Sequence, residues 1–269
     1  MRNIGFIVDV KDGRDEAYIR KWAEFAHQQD IDGLELLFNE PDHPVFDADM
    51  IKRAIAGTGV EILACGYWRL NTTDPDPATR EVVRARMFSF IDMAAAIGSK
   101  IAFFSAGCVE EGNTDKNIEG LREELAMYNA YAAAKNVTIA NYMGHGENFI
   151  KSYDILKRVC EEVPQFNIKA DPVGMIRNLH ADPYEVVRDF GDRIVHFHVK
   201  DVLHVGDREF ETMVGMGDIT WSTLFGLLYY HGYNGAVVIE PHGPRYGKEP
   251  YRADAILMAK KHIEQFMFR

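Results

Sequence analysis

The chain has 269 residues, 47% hydrophobic and 26% charged, with a formal net charge of −11 and a pI near 5.4. That composition buries a full core and excludes an intrinsically disordered chain. The acidic balance repels phosphate backbones, so nucleic acid is not expected as a partner, while a divalent cation is tolerated.

No apolar run approaches the roughly 18 residues of a membrane span, so no membrane partner is expected. Cys65, Cys108 and Cys160 are an odd set without paired spacing, which fits free thiols in a reducing cytoplasm. The opening MRNIGFIVDV runs straight into a strand-like segment with an acidic residue in it and does not read as a signal peptide.

Strand-like and helix-like segments alternate from end to end. Asn3 to Val8 reads as a strand, and Asp15 to Gln29 as a helix with Ile19, Trp22, Ala23 and Ala26 on one face. Gly33 to Phe38, Glu61 to Cys65 and Lys100 to Phe104 are the next strands, separated by helices over Asp47 to Ala56 and Pro77 to Ile97. A helix from Asn117 to Lys135 leads to a fifth strand, Val137 to Asn141, and a Gly-rich turn precedes the helix Phe149 to Glu162. Phe166 to Asp171 is the sixth strand, Pro183 to Phe190 a short helix and Ile194 to Val199 the seventh strand. An irregular insertion starting at Leu203 follows, then a helix from Trp221 to Tyr230, an eighth strand over Ala236 to Glu240 and a closing helix, Ala253 to Phe266.

Eight βα units predict a parallel sheet, and the count predicts its closure into a single (β/α)8 TIM barrel spanning residues 1–269 as one domain. An open doubly wound sheet would carry a Gly-rich phosphate turn after the first strand, and none is there.

In such a barrel the C-terminal strand ends converge on one mouth. Strand two ends near Glu35 and Asn39, strand three with Tyr67, Trp68 and Arg69, and strand five in NYMGHGEN. Strand six ends at Asp171, strand seven in HFHVKD and strand eight at Glu240, with His242 and Arg245 beyond. His196, His198 and Lys200 share one parity, opposite to Val195, Phe197 and Val199. Asp171, His198 and Glu240 come from three adjacent strands. One imidazole and two carboxylates with positions left open suit Mn²⁺, Mg²⁺, Co²⁺ or Zn²⁺. The competing reading is an ion-pair network in which Lys200 or Arg245 neutralises the acids. His145 lies between Gly144 and Gly146, beside Glu147, and is either an acid–base candidate or an exposed loop histidine. Trp68, Tyr67 and Phe104 offer an apolar wall for a sugar ring, or plain barrel packing.

These pieces resemble the xylose-isomerase-like barrels: sugar isomerases and epimerases, inosose dehydratases and apurinic endonucleases. The resemblance rests on ADP at strand six, HFHVKD at strand seven, VGMGDITW (Val214 to Trp221) and IEPHG at strand eight. It implies a divalent ion, Mn²⁺ foremost, held by a Glu, an Asp, a His and a second Glu from strands five to eight. By position these are Asp171, His198 and Glu240, and the strand-five Glu is missing. Its slot falls on Asn141 or Tyr142, with parity favouring Tyr142. A histidine that some epimerases carry after the strand-six Asp is also absent, Gly174 and Met175 standing there.

The resemblance implies an isomerase or epimerase acting on a small keto-sugar or sugar derivative through an enediolate. Glu240 and His145 would move the proton, while Glu147, Lys200, Trp68, Tyr142 and Arg245 would bind substrate. Two-base epimerisation needs a carboxylate on each face of the carbon. The missing Glu therefore keeps open a metal-dependent lyase or dehydratase with one-sided chemistry, and a non-catalytic, partner-dependent subunit. An apurinic endonuclease is disfavoured by the acidic balance. The resemblance also implies association into a homo-oligomer or hetero-complex, with the insertion from Leu203 to Gly217 as a contact or a lid.

Overall fold

The computed structural model describes residues 1, 3–10, 16–39 and 46–268. In chain order the elements are β1 (Ile4–Val10), α1 (Glu16–Gln28), β2 (Gly33–Phe38), α2 (Ala48–Ile55), β3 (Glu61–Tyr67), α3 (Pro77–Ala96) and β4 (Ile101–Ser105). Next come α4 (Thr114–Ala133), β5 (Thr138–Tyr142), α5 (Tyr153–Glu162), β6 (Ile168–Ala170), α6 (Pro172–Asn178), α7 (Pro183–Phe190) and β7 (Ile194–Val199). The chain finishes with β8 (Asp201–Val205), β9 (Arg208–Thr212), α8 (Trp221–Tyr230), β10 (Val237–Ile239) and α9 (Arg252–Ile263).

Eight parallel strands close into a barrel in the order β1-β10-β7-β6-β5-β4-β3-β2. The expected (β/α)8 architecture is therefore the observed one, with β10 as the eighth stave. The outward strand positions and the apolar helix faces form one continuous core. On α1, Ile19, Trp22, Ala23 and Ala26 are buried as their spacing requires. The inward positions make a second, smaller cluster of Ala64, Phe103, Ala140 and Tyr142. Tyr67 and Phe104 point outward: Tyr67 packs on Phe46 and Phe90, and Phe104 on Tyr128. They are barrel packing and not a sugar wall.

Three local features differ from the sequence reading. The insertion is an antiparallel hairpin, β8 pairing with β9 around Gly206, whose φ of +64° suits a residue without a side chain. A short helix, α6, follows Asp171 directly. Asp171 caps it, Oδ1 accepting from the Gly174 N–H at 3.0 Å, and Pro172 occupies its first turn. The helix expected from Phe149 starts only at Tyr153, after the Ser152 cap. The start of the first helix at Asp15 lies outside the described residues.

Among the described residues no helix is long and apolar enough to cross a membrane. Cys65, Cys108 and Cys160 are all free thiols.

Candidate functional site

The C-terminal mouth of the barrel opens into a cavity of about 500 Å³. Its lining takes alternate residues of β1 and β2 (Ile7, Asp9, Glu35 and Leu37), with Lys169 of β6, His198 of β7 and Glu240 just past β10. Because side chains alternate along a strand, His196, His198 and, just past β7, Lys200 all point inward, while Phe197 and Val199 enter the outer core.

Glu35 reaches them from β2 across the barrel. Its Oε2 lies 2.5 Å from His196 Nε2 and 2.8 Å from His198 Nε2. Burial opposes its charge, but the two imidazoles overcome that and bring the carboxyl down to about 2. Glu35 Oε1 has no hydrogen-bond partner among the described residues, although Glu35 lines the cavity. Burial pushes the His196 pKa below its ordinary value, so a neutral ring donates Nε2–H to Glu35.

His198 lies between two carboxylates. Nε2 faces Glu35, and Nδ1 lies 2.8 Å from Glu240 Oε2. Two acceptors on one imidazole require a proton on each nitrogen. Burial works against that charge, but Glu35 and then Glu240 raise the pKa above its ordinary value.

Glu240 follows β10, its N–H donating to Val199 carbonyl oxygen at 3.0 Å, which ties it to the end of β7. Asp171 follows β6. One of its oxygens caps α6 and the other, Oδ2, accepts from Lys200 Nζ at 2.8 Å. Gly174 leaves that carboxylate room, since a Cβ there would meet Asp171 Oδ2 at 3.2 Å. Lys200 Nζ also lies 3.3 Å from each oxygen of Glu240. Lys169, buried on β6, places Nζ 3.7 Å from Asp171 Oδ2. Burial opposes the charges of Asp171 and Glu240, and Lys200 above all holds both carboxyls well below the usual carboxylate range.

Asp171, His198 and Glu240 each offer a ligand atom, and these atoms lie within 4.8 Å of one another. The set fits a divalent ion. It combines hard oxygens with one imidazole, and Glu35 supplies the carboxylate that metal-binding histidines usually carry on their far nitrogen. Lys200 stands among the same oxygens, so the neutralising lysine of the competing sequence reading is also part of the site.

The strand-five position is Tyr142. It points inward, stacks on Trp68 with ring centroids 4.3 Å apart, and accepts the Arg69 N–H at 3.3 Å. Burial pushes its hydroxyl up to about 12, so it is a phenol and not a carboxylate substitute. Asn141 points outward and donates to the Phe104 and Ser105 carbonyls.

His145 lines the cavity beside Trp68, ring centroids 5.0 Å apart. Burial lowers its pKa to about 4, so the ring is neutral at pH 7. Asn178 Nδ2 at the end of α6 lies 2.9 Å from Nε2. An amide N–H only donates, which leaves the ring proton on Nδ1. Gly144 makes this approach possible, because a Cβ there would lie 2.2 Å from Asn178 Cβ. Its freedom serves the Asn178 contact and not a ligand.

The structure brings Trp68, His145, Asp171, His198, Lys200 and Glu240 around one cavity. Tyr142, stacked on Trp68, is not among its lining residues, and neither are Glu147 and Arg245. The last two are exposed, and the Glu147 segment is held by its backbone carbonyl, which accepts from Ser105 Oγ at 3.0 Å. Sequence reasoning placed Glu35 at a strand end without a role and passed over Lys169 and Asn178. The parity of Glu35 within β2 is the signal for the first. Asn178 carries no signal, because nothing in the sequence fixes where a short helix ends against a loop.

Asp201 belongs to the HVKD run but serves the scaffold. It accepts from the N–H groups of Val202, Gly215 and Ile219 and from Trp221 Nε1. A Cβ at Gly217 would lie 2.1 Å from its Oδ1, so VGMGDITW is the sequence of a loop closed over a buried carboxylate. The hairpin is pinned to the rim: Arg177 holds Glu209 and Glu211, and His242 Nδ1 lies 2.8 Å from Glu211 Oε1.

Solved structures of the same architecture support this assignment of the fold. D-psicose 3-epimerase with D-tagatose from Clostridium cellulolyticum H10 is 17% identical, with a TM-score of 0.76 over 98% of this chain and 99% of that one. 3-Keto-D-glucoside 4-epimerase, YcjR, from E. coli is 16% identical, with a TM-score of 0.74 over 97% and 100%. A xylose isomerase-like TIM barrel protein from Mycobacterium smegmatis in complex with magnesium is 16% identical, with a TM-score of 0.73 over 93% and 88%. No curated protein matches the sequence. The family model described as xylose isomerase-like TIM barrel matches residues 23–262, and with most of its length covered the chain belongs to that family.

Proposed function

We propose that this protein is an isomerase or epimerase that moves the proton α to the carbonyl of a small keto-sugar or sugar derivative. One observation carries the reading: Asp171, His198 and Glu240 converge at the ends of three adjacent staves, inside a cavity sized for a monosaccharide. Asp171, His198 and Glu240 would hold a divalent ion, Mn²⁺ first among the candidates. When bound, such an ion supplies Lewis-acid stabilisation of the negative charge that develops on a carbonyl oxygen.

The chain's own residues have separable roles. Glu240 is ionised and stands at the cavity, so it is the base that takes the α-proton. His145 is a neutral donor through Nδ1–H and binds a substrate oxygen, a different role from the proton carrier expected of it. The Lys200 ammonium orients a hydroxyl, and Trp68 packs on the carbon skeleton. The free thiols suit a reducing cytoplasm.

The epimerases among the structural relatives support the substrate class, and the magnesium-bound relative supports the ion. The test is solvent-deuterium uptake into a panel of keto-sugars with and without Mn²⁺, comparing wild type with Glu240→Gln. Uptake that needs Glu240 supports the reading. Absence of uptake from the whole panel refutes it.

Tyr142 favours a second reading. With a phenol where the family has a carboxylate, base chemistry is confined to one face, which suits elimination from a keto-sugar or keto-polyol. Exchange accompanied by water loss, read as a new enone absorbance, separates the lyase from the isomerase.

A further inference from the structure

We infer that Lys200 is a built-in cation that occupies the metal position of the ion-free protein and must leave it before a divalent ion can enter. The inference rests on the preceding reading that Asp171, His198 and Glu240 form the ion site, and adds to it a competitor within the chain.

The geometry carries the argument. Lys200 Nζ lies 2.8 Å from Asp171 Oδ2 and 3.3 Å from both oxygens of Glu240. These are the two carboxylates of the three-residue donor group. A divalent ion bound at about 2.0–2.5 Å from the same oxygens takes the space of the ammonium. If both cations stayed, they would face each other across about 3–4 Å in a buried site, where repulsion is weakly screened.

The neighbourhood sharpens the competition. Tyr142 adds no carboxylate from β5, so every acidic group offered to the ion from β6 and β10 already grips Lys200. Lys169, 3.7 Å from Asp171, is a second cation beside the site. Lys200 has somewhere to go, since it lines the cavity of about 500 Å³ above the carboxylates. Swung out, its ammonium stands where substrate hydroxyls would be, so loading of the ion and presentation of Lys200 to substrate become one event.

The experiment is calorimetric titration of chelator-treated protein with ZnCl₂ and with MnCl₂, for wild type, Lys200→Met and Lys200→Arg. Lys200→Met is expected to bind both ions on the order of 10- to 100-fold more tightly than wild type. Its ion-free melting temperature falls, because two buried carboxylates lose their cation. Lys200→Arg keeps a cation in place and gains no affinity. Equal or weaker binding by a folded Lys200→Met, or no binding by any of the three, overturns the inference.

Should Lys200→Met fail to fold, acetylation of wild-type Lys200, read by peptide mass spectrometry, replaces it. Saturating ZnCl₂ is expected to increase labelling several-fold, and unchanged labelling overturns the inference. Deuterium uptake by wild type reports separately on the proposed function. Wild type that exchanges protons while Lys200→Met binds ions no more tightly removes the competition alone. Tighter binding by Lys200→Met with no exchange by wild type removes the activity alone.

Discussion

Asn178 donates to His145, amide Nδ2 to ring Nε2 at 2.9 Å, and so decides which ring nitrogen carries the proton. The burial that brings the ring's pKa down to about 4 keeps it neutral. A nitrogen-15 NMR titration should therefore find His145 as the Nδ1–H tautomer throughout the neutral range, protonating near pH 4. Asn178→Ala removes one hydrogen bond, worth about 1 kcal/mol, and should reduce turnover by a factor of roughly 2 to 10 while mixing the tautomers. A His145 titration at its ordinary 6.5 would end the assignment of this residue as a donor.

Glu35 makes acid stability a direct readout of the cluster. Its folded pKa of about 2 lies below the ordinary 4.5. The stability it contributes is thus fully present above pH 4.5 and is lost as pH falls toward 2. The shift corresponds to roughly 3 kcal/mol. Asp171 and Glu240, also lowered, act in the same direction over the same acid range. Glu35→Gln should be less stable at pH 7 and show a shallower loss between pH 5 and 3 in urea titrations. A slope identical to wild type would mean that the two histidines do not depend on Glu35.

Asp201 separates scaffold from chemistry within one motif. Replacing it with Ala removes the buried acceptor of four N–H donors, three from the backbone and one from Trp221. The expected cost is on the order of 3–5 kcal/mol, read in urea unfolding. Proteolysis within the β8–β9 hairpin should increase as well. A cost below about 1 kcal/mol would show that the loop does not need its anchor.

The alternation of strand and helix patterns made the barrel legible, since period 2 and period 3.6 are written in the apolar positions themselves. Asp171, His198 and Glu240 were legible because each closes an apolar strand run, where an ionisable group needs a partner. The partners were legible only in part, with Lys200 named beside Arg245 as a neutralising cation and Glu35 left without a role. Lys200 follows His198 by two residues, so its shared face was visible, but its choice of Asp171 and Glu240 over substrate space depends on distances between strands. Glu35 lies 161 residues from His196, and only barrel closure brings the two within 2.5 Å. The hairpin was not legible because Arg208–Thr212 carries a single apolar residue, Phe210, so no period-2 pattern marks the strand after Gly206. Glu147, expected from the resemblance, and Arg245, expected beyond Glu240, are exposed and outside the cavity lining, because loop geometry is not written in strand parity.

Tyr142 offers the sharpest test of the strand-five position. It stands at the inward end of β5 among Ala64, Phe103 and Ala140, with Trp68 stacked on it. Tyr142→Glu puts a carboxylate at the strand-five position, near a donor group that has two. A third carboxylate offsets Lys169 and Lys200 and adds one oxygen donor, so affinity for Mn²⁺ or Zn²⁺ should rise by at least about 10-fold, or about 1.4 kcal/mol. The ion-free protein should be less stable by a few kcal/mol, because a buried carboxylate replaces an aromatic ring that filled its space. Tyr142→Gln leaves the same cavity without the charge, and the difference between the two variants isolates the electrostatic part. If both bind ions as wild type does, the strand-five position is not part of the ion site in this chain, and the one-sided chemistry argued from Tyr142 falls with it.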